Sequence, residues 1–370
     1  MKTIAYYISD YGYGHASRSI AIIRKLLKEP ELKIIVCNSF ALSFIKESLI
    51  SERVSYRNIK TDVGYFLEKD SIFPDKAQLL KEYKCFVSNL EEYNQHEREF
   101  LKLSSVDLVV SDISPLPFGA AESLGIPSVG LSNFTWFSAY QDLIDDRELV
   151  PFKEAYNKMS YYFSLAGSQE QWMIKTNEYG FFSREIDINE VNRIRNLFNP
   201  EGNQQIVFLG LGMKIDVGIL ERLPIWESPN CVFLVSSNVH VDRPNVFQIP
   251  KSYLESQNYI AASDLMISKA GWGMIGEAVS ANIPLLILNR PSMKEDQNTI
   301  HYLKQHHLCE TIEWDDFGDY QVDPRVIEKL KRYGHYSNHP NEAEKISKDL
   351  LELMGFTSNE ISYMILGEGS

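Results

Sequence analysis

Between Tyr259 and Asn298 the chain reads YIAASDLMISKAGWGMIGEAVSANIPLLILNRPSMKEDQN, and most of the chemistry legible in the sequence sits there. Leu265-Met266-Ile267 is a short apolar run ending in Ser268-Lys269-Ala270-Gly271, with Gly273 and Gly276 close behind. This is the pattern of a buried strand turning sharply into a helix. The first N–H groups of a helix lack intrahelical partners, and with the helix dipole they attract phosphate oxygens. Glu277 falls in the first turns of that helix, where a carboxylate can accept from ribose hydroxyls. Pro284 to Asn289 supplies the next strand, and the acidic-amide loop Glu295-Asp296-Gln297-Asn298 lies past its carboxyl end, where α/β sheets hold ligands. One βαβ unit thus offers a pyrophosphate seat, a ribose carboxylate and polar groups for a sugar. The plainer reading is an ordinary strand-to-helix turn with a glutamate on a solvated helix face, and the glycines alone do not separate the two.

The elements that must position these groups alternate from the first residue. Strands are expected at Thr3 to Ser9, Lys33 to Cys37, Val54 to Ile59, Val106 to Val110 and Ser128 to Leu131, with helices at Ser17 to Lys28 and largely over Asp75 to Leu101. A second series starts at Gln205 to Leu209, runs into Gly210-Leu211-Gly212-Met213, and continues with Val232 to Ser236 and Val246 to Ile249. Two α/β halves with parallel sheets follow from this order, residues 1–165 and 166–370, with a linker at about 166–203. A helix at Glu342 to Met354 is expected to pack across both. The first strand ends in a second glycine turn, Ser9-Asp10-Tyr11-Gly12-Tyr13-Gly14-His15, which sets His15 at the mouth of the first helix. It is not a dinucleotide fingerprint, because Ser17 stands where GxGxxG has its third glycine. The plainer reading of His15 is a helix cap or a bond to a nearby carbonyl.

The order of motifs resembles the nucleotide-sugar half of GT-B glycosyltransferases, especially the group containing the peptidoglycan N-acetylglucosaminyltransferase. That resemblance implies two Rossmann-like domains facing an interdomain cleft. It implies a turn of Ser268, Gly271, Trp272 and Gly273 at the donor diphosphate, Glu277 on the ribose, and Asp296 and Gln297 on the donor sugar. Gly12 and Gly14 would face the donor from the other half, and Gly210 to Met213, with Gly212, would stand near the base. Uracil is the base the resemblance favours, so the co-substrate expected is a UDP-sugar. Inverting transfer must take a proton from the attacking hydroxyl, a task for an imidazole with an ordinary pKa near 6.5. His15 is the candidate base; Asp10 competes for the role or orients it. The acceptor side would be lined by Asp112, Asn133, Trp136 and the aromatic stretch Tyr156 to Phe163. Asp112 reads alternatively as a cap for the helix near Pro117, and Tyr161 to Phe163 as core.

IAYYISDYGYGHASR, DLVVSDISPLPFGAAESLGIPSVGLSNFTW and YIAASDLMISKAGWGMIGEA are also similar to the amino-terminal, glycosyltransferase-like region of plant L-arabinokinases. The glycine- and serine-rich ATP loop of their sugar-kinase domain is missing from these residues, so kinase activity is not carried over. Those relatives usually have Gly-His where this chain has Asp10-Tyr11.

The 370 residues are 44% hydrophobic and 12% aromatic, as in a globular protein of two domains. No apolar run approaches the roughly 20 residues of a membrane-spanning helix, and the first residues lack a signal-peptide pattern. A net charge of −13 disfavours nucleic-acid backbone and anionic membrane, with Arg24, Lys25 and Lys28 read as a solvated helix face. Cys37, Cys85, Cys231 and Cys309 are scattered singly, which fits reduced thiols in a cytoplasmic protein. Asp145-Asp146 and Asp315-Asp316 sit in polar surroundings rather than in the Asp-x-Asp of a metal-dependent transferase, so neither metal nor cofactor is expected. The acceptor is open: a small molecule, a peptide or a glycan. A UDP-sugar epimerase or hydrolase and a non-catalytic nucleotide-sugar sensor are the alternative readings.

Overall fold

A computed structural model describes residues 1–69, 73–211, 220–333 and 341–356. The chain divides into two compact units. The first comprises Met1–Phe66, Asp75–Gly180 and the residues from Glu342; the second comprises Leu67–Pro74 and Phe181–Asn341.

In the first unit, seven parallel strands lie in the order β3-β2-β1-β4-β5-β6-β7. They are β1 (Lys2–Ile8), β2 (Leu32–Asn38), β3 (Val54–Asn58), β4 (Leu108–Asp112), β5 (Ser128–Ser132), β6 (Tyr161–Leu165) and β7 (Lys175–Tyr179). β4 and β5 are buried at every residue, as central strands covered on both faces must be. The strand order reverses between β1 and β4, where Ile8 pairs with Asp112. Such a reversal opens a crevice beyond the strand ends. The aromatic stretch Tyr156 to Phe163 runs into β6, where Tyr162 and Phe163 are core, as the packing reading of Tyr161 to Phe163 expects.

The boundaries differ from expectation because two sets of contacts are invisible locally. β7 extends the first sheet beyond residue 165, through a five-residue register with β6. The helix Ala343–Leu353 packs on the helix Tyr13–Leu26, where Lys25 Nζ lies 3.4 Å from Glu344 Oε2, and Tyr179 donates to Asp349 at 2.5 Å. It therefore belongs to the first unit rather than spanning both. The long helix expected over Asp75 to Leu101 breaks at Asn89 into Lys76–Ser88 and Leu90–Leu103, and Asp75 caps the first through Gln78 N.

In the second unit, six parallel strands run in the order β10-β9-β8-β11-β12-β13. They are β8 (Gln205–Gly210), β9 (Cys231–Val235), β10 (Val246–Gln248), β11 (Leu265–Lys269), β12 (Leu285–Asn289) and β13 (Cys309–Glu313). The reversal falls between β8 and β11, with Ser268 opposite Gly210. Cys37, Cys231 and Cys309 are buried and Cys85 is exposed; all four are free thiols. Among the described residues no helix is long and apolar enough to cross a membrane.

Candidate active site

The first unit assembles a charged cluster at its strand reversal. Gly12 takes φ +84°, a conformation open to glycine at little cost, and ends the chain's extended run. The helix starts one residue later, at Tyr13, so His15 and half-exposed Gly14 lie in its first turn rather than before it. His15 Nδ1 meets Asp112 Oδ1 at 2.9 Å. Arg18 donates to the same carboxylate from Nε (2.7 Å, to Oδ2) and Nη2 (2.5 Å, to Oδ1), and Ser19 Oγ adds a bond to Oδ2 at 3.1 Å. Asp112 is fully buried. Burial alone would raise its pKa, but the Arg18 charge, together with the hydrogen bonds from Arg18 and His15, outweighs it and holds the carboxyl down to about 2. A carboxylate on Nδ1 favours the imidazole tautomer with its proton there and its lone pair on Nε2, the form a general base needs.

Asp112 is thus neither an acceptor wall nor a helix cap; no solvent reaches it, and its oxygens are occupied. Asn133 is equally buried and accepts from Arg18 Nη1 at 2.9 Å. Trp136 is core: its indole N–H donates to Asp62 at 2.9 Å and its ring stacks on Tyr140. Asp10, the other candidate base, is engaged structurally. Asn38, Ser39, Phe40 and Thr61 together send five hydrogen bonds to its two oxygens, clamping the loops after β2 and β3 to the end of β1.

In the second unit, Gly271 precedes the helix Trp272–Ser280 without any side-chain cap. The first intrahelical bond runs from Ile275 N to Gly271 O, so Gly273 and Met274 present N–H groups with no acceptor inside the helix. Those donors stand where the sequence leads one to expect a pyrophosphate. The Ser268 hydroxyl is withdrawn from it, buried and bonded to Lys269 O at 2.7 Å. Trp272 packs between Phe181 and Phe182 and anchors the turn to the core. Gly276 is required for close approach, since a Cβ there would come within 2.7 Å of Phe182 O.

Glu277 is buried, and its Oε1 accepts from Arg184 Nη2 at 2.7 Å and Nε at 3.2 Å. It sits in a buried ion pair, not on a solvated face. The acidic-amide segment is no loop either: it opens the helix Lys294–Gln305. Asp296 has both oxygens on Arg290, at 2.6 and 2.7 Å, and no exposed surface, so a sugar contact by its carboxylate is ruled out in this arrangement. Gln297 is half-buried and spends Nε2 on Asn289 Oδ1 and Arg290 O, which leaves Oε1 for a hydroxyl. Gly212 lies outside the described residues.

Residues 239–354 match the glycosyltransferase family 28 C-terminal domain. The calicheamicin glycosyltransferase CalG4 is similar in fold, with TM-score 0.63 at 14% identity over 96% of this chain and 98% of its own. The fold is GT-B. UGT2 of Phytolacca americana, complexed with UDP-2fluoro-glucose and pterostilbene, gives TM-score 0.58 at 11% identity over 96% of this chain and 94% of that one. The L-arabinokinase of Arabidopsis thaliana is 26% identical over 306 residues, 79% of this chain. The chain spans 28% of that protein's length.

For this GT-B chain, Arg18, Asp62, Arg184 and Arg290 went unnoticed in the sequence. Arg18 had a signal: a cation three residues after His15, leading into the apolar run Ile20 to Ile23, must bury its charge against a carboxylate. Asp62 is a different case. Its carboxyl accepts from Asp10 N at 3.1 Å and from Trp136, and burial pushes its pKa up to about 7. A carboxyl whose folded pKa lies above its unfolded value binds more protons when folded, so its contribution falls as pH rises from about 4 to 7. Asp62→Asn should therefore flatten the decline of stability across that window, as read by urea unfolding at several pH values. An unchanged slope would show that Asp62 does not titrate there.

Proposed function

We propose that this protein is an inverting, metal-independent glycosyltransferase that moves a sugar from a UDP-sugar to the hydroxyl of an acceptor. The observation that carries the reading is the buried His15–Asp112 pair at the strand reversal of the first unit, an imidazole oriented to take a proton through Nε2. The N–H groups at Gly273 and Met274 are assigned to the donor diphosphate, Glu277 Oε2 to the ribose, and Gln297 to the donor sugar. The uracil preference rests on the family resemblance and on neighbours such as the Phytolacca enzyme, whose structure holds a UDP-sugar analogue. The acceptor belongs to the first unit's side of the chemistry, and its class is left to assay.

The test is calorimetric titration with UDP, UDP-sugars and other nucleotide sugars, on the native chain and on Gln297→Ala. One lost hydrogen bond to a sugar hydroxyl is worth roughly 0.5–1.5 kcal/mol, so the variant should bind the preferred UDP-sugar about three- to tenfold more weakly and UDP unchanged. Equal loss for both would make Gln297 a brace for Asn289 and Arg290 only. Absence of binding by every nucleotide sugar would overturn the reading.

A further inference from the structure

We propose that Arg18 is a positioning residue for the reaction: its guanidinium fixes the Asp112 carboxylate so that His15 keeps its proton on Nδ1 and its lone pair on Nε2. The inference rests on the reading of His15 as the base, but its tautomer readout is made without observing transfer.

His15 and Arg18 are three residues apart and share a face of the helix Tyr13–Leu26. That face meets the ends of two strands. Arg18 reaches Asp112, the last residue of β4, through Nε and Nη2, and reaches Asn133, just past β5, through Nη1. Three of its donor nitrogens are therefore held by two different strand ends, and the planar fork cannot turn. A fixed fork fixes the plane of the carboxylate it grips. Lysine, a single rotatable point charge, has no such constraint to impose.

His15 Nδ1 stands between two groups that want opposite tautomers. Asp112 Oδ1, at 2.9 Å, can only accept, and so requires Nδ1–H. Arg18 Nη2, at 3.0 Å, can only donate, and so would favour a lone pair on Nδ1 with the proton on Nε2. The second arrangement points the Nδ1 lone pair at a carboxylate oxygen and removes the base from Nε2. Geometry decides between them. Arg18 Nη2 spends the nearer of its two N–H groups on Asp112 Oδ1 at 2.5 Å, and that ionised oxygen, 2.9 Å from Nδ1, would repel a lone pair there, which favours Nδ1–H. Ser19 Oγ and Arg18 Nε hold the other oxygen, leaving Oδ1 directed at Nδ1. Arg18 thereby also keeps Asp112 ionised in a site that excludes water. Loosen the fork, and the carboxylate can rotate, the guanidinium can turn to Nδ1, and the two tautomers mix.

The experiment is ¹⁵N NMR of the His15 imidazole in the full chain, native and Arg18→Gln, with steady-state kinetics on the same samples. The native protein should show a pyrrole-type Nδ1 and a pyridine-type Nε2. Arg18→Gln should show a tautomer mixture, a kcat lowered about tenfold or more, and an unchanged KM for the nucleotide sugar. If Arg18→Gln does not fold, Arg18→Lys keeps the charge opposite Asp112 and lacks the fork, and the same mixing is expected. A native spectrum with the proton on Nε2, or identical tautomer signals in a folded variant, overturns the proposal. Tautomer mixing together with a fully active His15→Ala would leave Arg18 as the positioner of the ring and sink the base assignment instead.

Discussion

His15→Ala should lower kcat by about 10²–10⁴-fold, the usual contribution of a positioned general base. Affinity for the nucleotide sugar should stay within a few-fold, because the donor groups are assigned to Gly273, Met274, Glu277 and Gln297 in the other unit. Asp112→Asn should be as damaging to kcat, since a carboxamide can present an N–H to Nδ1 and stabilise the wrong tautomer. Asp112→Asn also leaves Arg18 without its counter-ion, so the His15 variant is the cleaner comparison. Asp10→Asn serves as the control. It disturbs the clamp over the loops after β2 and β3, and should cost stability rather than turnover in the fraction that folds. Full activity in His15→Ala, measured as UDP release with a competent acceptor, would remove the histidine from the mechanism.

The second large effect concerns Glu277. Truncating one partner of a buried ion pair strands the other charge, at a cost of about 3–5 kcal/mol. Glu277→Ala should therefore lose about that much unfolding free energy, because Arg184 is buried and bonds the same carboxylate oxygen twice. Removing both charges relieves the penalty, so the double variant Glu277→Ala with Arg184→Met should recover part of it. The ribose contact is read separately on Glu277→Gln, which retains an oxygen for Arg184. Its nucleotide affinity should fall by roughly tenfold as a charge-assisted bond is lost. A single alanine variant within about 0.5 kcal/mol of the native chain, the range of ordinary surface substitutions, would mean the pair is solvated and the packing described around it wrong.

The strands were legible because parallel strands buried on both faces leave short, nearly unbroken apolar runs, and Leu108–Asp112 and Ser128–Ser132 are of that kind. His15 was legible from its glycine turn, and the Gly271 turn from its strand-to-helix pattern. Ion pairing was not. Arg18 finds Asp112 94 residues away and Arg184 finds Glu277 93 residues away, so no window of sequence contains both members. Hence Glu277 read as an open ligand when it already held an arginine; Asp296 is a separate case, because Arg290 stands only six residues before it and lay within the same segment. The same distance hid the return of Ala343–Leu353 to the first unit, since its apolar face fits either unit until Lys25 and Tyr179 are known to meet it. Trp136 was misjudged for a local reason: a strand-end tryptophan reads as a ligand wall unless a buried acceptor such as Asp62 is known to satisfy its N–H.

The central claim, inverting transfer from a UDP-sugar, is tested most directly by following the anomeric carbon. The protein, the UDP-sugar found by calorimetry and a panel of hydroxyl acceptors are observed together by ¹H NMR. The account predicts that the donor is consumed only when an acceptor is present, and that the product's anomeric coupling shows configuration opposite to the donor's. Retained configuration, or loss of donor to free or epimerised sugar without any acceptor, would contradict it.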